Sequence, residues 1–171
     1  LIKNLGVAHY RFSIDWSRIE PREGQFDSEA IQWYSDLVDE LLIQGIQPMA
    51  TLHHFTQPLW WDERGGFEKE ENITGWVNFC SMMFEHLSDR VEWWCTINEP
   101  AVYVTQGYFN GVFPPGKKDP LLAGYVMRNL LNAHVQVYQH LKSLPNGANV
   151  QIGLVKNITQ LDPLRRWHVL D

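Results

Sequence analysis

The sequence predicts an α/β protein whose fold is part of a (β/α)8 TIM barrel, with about four parallel strands and intervening helices. Short apolar runs alternate with longer amphipathic segments along the chain. Long loops follow the strands, whereas the turns that lead from helix to strand are short. The chain has 171 residues. Because an eight-stranded barrel typically takes ~250 residues, we expect only part of one.

The first strand is predicted over residues 7–15, where apolar and polar side chains alternate. One face would meet the outer helices and carries Ala8, Tyr10, Phe12 and Ile14. The other would point into the barrel lumen and carries Val7, His9, Arg11 and Ser13. An arginine in the lumen row is expected to need a carboxylate partner, because an unpaired buried charge is very costly.

Three helices and three further strands follow in alternation. Apolar residues recur at helical spacing over residues 27–44, 72–88 and 120–142. Asp27 or Ser28 can cap the first of these helices, and Gly45 can end it. The remaining strands are predicted over residues 47–54, 91–97 and 150–157. Long loops are predicted over residues 55–71 and 101–119.

Composition and charge narrow the function classes. The net charge is −6 with acidic and basic residues interspersed, which argues against nucleic acid or an anionic membrane as a partner. No apolar run reaches the ~18 residues that span a bilayer. Cys80 and Cys95 are predicted to be buried free thiols, since their spacing fits no zinc site. No cofactor is predicted. We expect a cytoplasmic protein, although the chain opens inside an element and a signal peptide is not excluded.

The segment Trp94–Pro100 is the most informative for chemistry. It places Asn98 and Glu99 side by side at the end of an apolar run. The strand ends there, because proline donates no hydrogen bond to a sheet and restricts the residue before it. A carboxyl group at the C-terminal tip of a buried parallel strand lies where α/β proteins build active sites. Partial burial there suits a general acid, although a structural carboxylate explains Glu99 in isolation equally well.

This segment resembles the Thr-Phe-Asn-Glu-Pro motif of glycoside hydrolase family 1, the β-glucosidase and 6-phospho-β-glucosidase family. Residues 10–19 resemble the family's second-strand signature. Residues 45–48 and 51–55 resemble the family's third strand. Its later loop signatures are matched, in the same order, by residues 65–67, 107–108, 111 and 115–116. A chance match of all these segments is improbable.

The resemblance implies that residues 1–171 are a partial family 1 (β/α)8 catalytic domain, covering about strands 2 to 5. The first strand and the C-terminal half, with the catalytic nucleophile, would lie outside the chain, so the isolated piece is expected to be inactive. The implied function is a retaining β-glycosidase of carbohydrate metabolism. Its substrate would be a small-molecule β-glycoside or oligosaccharide, with no nucleic acid, membrane, metal or cofactor involved.

The resemblance also implies a role for each site residue. Glu99 would be the general acid/base, and Asn98 would bind the sugar 2-hydroxyl. Arg11 would lie beside the nucleophile and keep it ionised, and His54 would bind a hydroxyl of the non-reducing sugar. Strict alternation sends Asn98 and Glu99 to opposite faces, so both can reach one ligand only if the strand kinks at its end.

Alternatives stay open for these residues and for the function. Arg11 could form a structural salt bridge. His53 and His54 could suggest a metal, but adjacent strand residues diverge, and His53 is predicted to be packed. Asp15 is a weak nucleophile candidate. The chain could instead be an inactive glycosidase-like domain that binds a sugar or a protein, or belong to a neighbouring barrel family with an Asn-Glu pair.

Aromatic residues and departures from the family pattern bear on specificity. Sugar-stacking candidates, each more readily explained as core, are Trp16, Trp60, Trp61 and Trp94. Departures from the commonest pattern, expected to border the substrate, are Phe55-Thr56, Phe67, Ile97 and Ala101. The sugar itself is not predicted.

Overall fold

The computed structural model describes residues 2–158, and its strands form one parallel sheet. The strands lie in the sheet order β1 (His9–Ser13), β2 (Gln47–His53), β3 (Trp93–Asn98) and β4 (Gln151–Val155). Each strand pairs in parallel with the next strand in sequence. This is the βα repeat of a barrel, and the predicted fold class is confirmed.

Three long helices make the crossovers between these strands. They are α2 (Ser28–Ile43), α4 (Ile73–Leu87) and α6 (Pro120–Ser143), each within a residue or two of its prediction. Asp27 caps α2, because its Oδ1 accepts from the backbone N–H groups of Glu29 and Ala30. Gly45 follows the helix with a φ of 73°, a left-handed conformation that glycine adopts at little cost.

The two regions predicted as long loops contain short helices, so the loop prediction was wrong in detail. The first holds α3 (Leu59–Glu63) and two 3₁₀ turns. The second holds α5 (Pro100–Val104), which runs into a π-helical turn at Thr105–Phe109. A further short helix, α1 (Trp16–Ile19), follows β1. Elements of four or five residues are too short to show helical periodicity in a sequence.

The core lies between the sheet and the crossover helices. Phe12 on β1 stacks on Tyr34 of α2 with ring centroids 6.2 Å apart. Thr96 on β3 hydrogen-bonds the Nδ1 atom of His134 on α6 at 2.8 Å. Phe12 thus faces the helices, as the alternation of residues along β1 predicted. Cys80 and Cys95 are buried free thiols, as predicted.

The tryptophans belong mainly to this core. Trp16, Trp61 and Trp94 are at most 2% exposed, so the core explanation favoured for them is confirmed, and none of the three presents a face for sugar stacking. Trp16 packs against three other tryptophans and Phe79, at centroid distances of 5.0–5.8 Å. Only Trp60 of the four candidates keeps partial exposure. No helix within residues 2–158 combines the length and apolarity needed to cross a membrane.

Candidate active site

The first part of the site is the lumen row of β1. Arg11 is exposed and Ser13 is half-buried on this row, opposite the buried Phe12. The Nη1 atom of Arg11 donates to Oδ1 of Asn98 at 3.0 Å. The arginine thus reaches across β2 to the end of β3. Among residues 2–158 its partner is this amide and no ion pair, so the expected carboxylate partner is not found there.

The end of β3 turns sharply at residues 98–100, which we call the β3 corner. Cys95 pairs with Gly153 and Asn98 with Val155, so β3 has one residue more than β4 over this stretch. This extra residue is a β-bulge, and it changes the face to which later side chains point. Asn98 therefore reaches Arg11 on the lumen side. Glu99 follows with φ 42° and ψ 62°, a left-handed conformation. The strand end is therefore kinked, which is the condition under which Asn98 and Glu99 can reach one ligand.

The end of β2 has a similar turn at residues 53–55, which we call the β2 corner. Phe55 has a φ of 71°. The Nδ1 atom of His54 lies 2.7 Å from the Ser13 hydroxyl, in a hydrogen bond. Since Ser13 lies on the lumen row of β1, His54 also lies on the lumen side. His53 turns away, and its Nε2 atom hydrogen-bonds Oε1 of Gln57 at 2.9 Å.

His54 lies near the charges of both Arg11 and Glu99. Burial lowers the pKa of His54 from its usual value, and the positive charge of Arg11 lowers it further. The Glu99 carboxylate opposes that shift. His54 therefore experiences the charges of both Arg11 and Glu99. The structure thus brings Arg11, His54, Asn98 and Glu99 close together, at the C-terminal ends of β2 and β3 and beside β1.

The structure gives other roles to His53, considered above as a metal ligand, and to Asp15, considered as a nucleophile. His53 is fully buried, and desolvation lowers its pKa to about 4. Because His53 and His54 point in different directions, they do not share a ligand. Residues 2–158 contain no cluster of three side chains that could hold a metal ion. Asp15 caps α1, since its Oδ1 accepts from the N–H and hydroxyl of Ser17.

Some residues near the site were missed or misplaced by the sequence argument. Ser13 was placed in the lumen row without a role. Gln57 and Tyr103 were not singled out, because both lie in segments predicted as loops. Phe67 and Ile97 were expected to border the substrate, but they are at most 1% exposed and belong to the core.

Comparison with known proteins places the chain in a family. Residues 1–168 match the family described as glycosyl hydrolase family 1. The chain belongs to this family. It is 37% identical to lactase/phlorizin hydrolase of Rattus norvegicus, covering 98% of this chain and 9% of that protein. It is 34% identical to β-glucosidase A of Thermotoga maritima, covering 95% of this chain and 36% of that protein.

Solved structures show the same relationship. A β-glycosidase from Pyrococcus horikoshii is 41% identical with a TM-score of 0.88, over 96% of this chain and 38% of that one. A β-glucosidase from Thermotoga maritima in complex with castanospermine is 33% identical with a TM-score of 0.91, over 97% of this chain and 38% of that one. The family 1 chain described here thus spans well under half the length of these relatives.

Proposed function

We propose that this chain carries the sugar-binding and general acid/base part of a retaining β-glycosidase, within a partial (β/α)8 catalytic domain. The observation that supports it most is the β3 corner. A bulge and a left-handed residue bring Asn98 and Glu99 to the lumen side of one strand tip. A carboxyl beside an amide at that place can protonate a glycosidic oxygen while the amide binds the neighbouring sugar hydroxyl.

Each of the other two residues has a part in this proposal. Arg11 provides a fixed positive charge, which would keep a nearby carboxylate nucleophile ionised. His54 has a lowered pKa and is therefore neutral near pH 7, and a neutral imidazole can both donate to and accept from sugar hydroxyls. The substrate is a small β-glycoside or oligosaccharide. Relatives solved with castanospermine and with a galacto-hydroximolactam support that ligand class.

The test is the substitution Glu99→Gln in the full-length protein. Removing a positioned acid costs ~10²–10⁴-fold in rate. The loss should be large for substrates with poor leaving groups and small for activated aryl leaving groups, which depart without a proton. Glu92→Gln, the same change at the opposite end of β3, is the matched control and should leave both rates unchanged. Equal losses on both substrate types would contradict the assignment of Glu99.

The same assay addresses the alternative of an inactive sugar-binding domain. Sugar binding without any turnover in the unaltered full-length protein would favour that alternative. We also propose a cytoplasmic location. It is supported by 36% identity to a cytosolic β-glucosidase of Cavia porcellus, over 84% of this chain and 31% of that protein. Cell fractionation with detection of the full-length protein tests the location.

A further inference from the structure

Tyr103 contacts residues of both the β2 corner and the β3 corner. The residue is 1% exposed and lies on α5, the helix that begins directly after Glu99. Its backbone N–H donates to the Glu99 carbonyl at 3.1 Å. Its ring stacks on Phe55 with a centroid distance of 6.2 Å and an interplanar angle of 17°. It also meets the ring of His53 edge to face at 5.2 Å. Tyr103 therefore touches both corners.

Gln57 holds the hydroxyl end of Tyr103. The Nε2 group of Gln57 donates to the Tyr103 hydroxyl at 3.0 Å and to Oδ1 of Asp62 at 2.8 Å. Since that amide group donates twice, Oε1 is left to accept from Nε2–H of His53, at 2.9 Å. The hydrogen-bond pattern fixes the amide orientation. Gln57 thus joins the end of β2, α3 and α5 through three side-chain bonds.

The two corners need such support because both contain a strained residue. Phe55 and Glu99 are two of three non-glycine residues with positive φ among residues 2–158. L-residues in the left-handed region persist only where surrounding contacts over-determine the backbone. Tyr103 packs on the first of these residues and hydrogen-bonds the backbone of the second. Gln57 keeps the tyrosine in that position.

We propose that Gln57 and Tyr103 are a positioning pair that sets the placement of the Glu99 carboxyl relative to His54. The inference rests on the proposed function, because it concerns proton donation by Glu99. Neither side chain reacts. The pair fixes the first turn of α5 relative to the β2 corner. The Glu99 backbone is hydrogen-bonded to that turn, so its position is fixed as well.

The experiment compares Gln57→Met, Tyr103→Phe and the double variant in the full-length protein. Gln57→Met keeps the chain length and removes the hydrogen bonds, whereas Tyr103→Phe keeps the ring and removes only the hydroxyl. A misplaced acid costs about 10- to 100-fold in kcat on substrates with poor leaving groups. Activated aryl glycosides should lose less than about threefold on the same argument. The double variant should lose no more than the worse single variant, because both changes break one shared bond.

The controls separate this inference from loss of folding and from the proposed function itself. Tyr125→Phe, at an exposed tyrosine on α6, should change nothing. The positioning pair would be overturned if kcat fell equally on both substrate classes or did not fall at all. It would also be overturned if the losses of the two single variants added up in the double variant. If Gln57→Met does not fold, Tyr103→Phe decides alone. If Glu99→Gln, assayed in parallel, lacks the leaving-group dependence, the proposed function fails and the inference fails with it.

Discussion

The left-handed conformation of Glu99 should be measurable as strain in the free energy of unfolding. We consider Glu99→Ala and Glu99→Gly, which both remove the half-buried carboxyl group. The two variants differ by one methyl group and by the backbone freedom of the residue. Their comparison therefore isolates the cost of holding an L-residue at a φ of 42°.

The magnitude follows from two opposing contributions. An L-residue in the left-handed region costs roughly 1–2 kcal/mol, and glycine avoids that cost. Glycine also loses more conformational freedom on folding than alanine does. This effect destabilises the glycine variant by about 0.5–1 kcal/mol and opposes the first contribution. We therefore expect the glycine variant to be more stable than the alanine variant by about 0.5–1 kcal/mol. Both variants should lose more activity on substrates with poor leaving groups than on activated aryl glycosides, because both lack the acid that we assign to Glu99.

The assay is equilibrium denaturation of both variants in the full-length protein. Gln136 provides a matched control, because it is exposed in the middle of α6. There Gln136→Gly should be less stable than Gln136→Ala by about 1 kcal/mol, the usual helix propensity difference. The sign of the glycine effect should thus reverse between the two positions. If glycine is no better than alanine at position 99, the corner is not strained and the support assigned to Tyr103 is unnecessary.

The remaining predictions concern pH and substrate recognition. Arg11→Met should raise the pKa of His54, because a positive charge no longer opposes protonation, and Glu99→Gln should lower it; NMR titration of the imidazole measures both. His53 protonates below about pH 6.5 when unfolded and only below about 4 when folded. The free energy of unfolding should therefore fall as the pH drops through that interval, and denaturation of His53→Gln should show a weaker decrease. Asn98→Ala should slow hydrolysis of glucosides far more than that of 2-deoxy glycosides, since only glucosides carry the hydroxyl that Asn98 would bind.

Much of the fold was predictable because it depends on repetitive patterns. The stripes of α2, α4 and α6 extend over four or more turns, and Asp27 and Gly45 mark the ends of α2 by their own chemistry. Alternation along β1 correctly separated Arg11 and Ser13 from Phe12. A parallel sheet then follows from the sequence order, since each of the first three strands is followed by a helix long enough to return the chain.

The sequence named residues that come together in the structure, but it did not predict the backbone conformations that bring them together. Arg11, His54, Asn98 and Glu99 were named from a resemblance, and the structure brings them together. Alternation alone would have separated Asn98 from Glu99 and placed His54 on the outer face. A bulge and left-handed residues are local departures that no periodic pattern encodes, and Phe55 and Glu99 are poor sequence signals for positive φ.

The same departures explain why the supporting residues escaped notice. A regular strand is stabilised by the neighbouring strands of the sheet. A strand end whose side chains switch to the other face contains strained residues, and contacts from other segments must hold it. Those contacts come from Gln57 and Tyr103, which are far apart in sequence and lie in segments without periodicity. Short irregular elements after each strand thus do two things in this fold. They expose the site residues on the lumen side, and they provide the buried hydrogen bonds that keep two unfavourable backbone conformations in place.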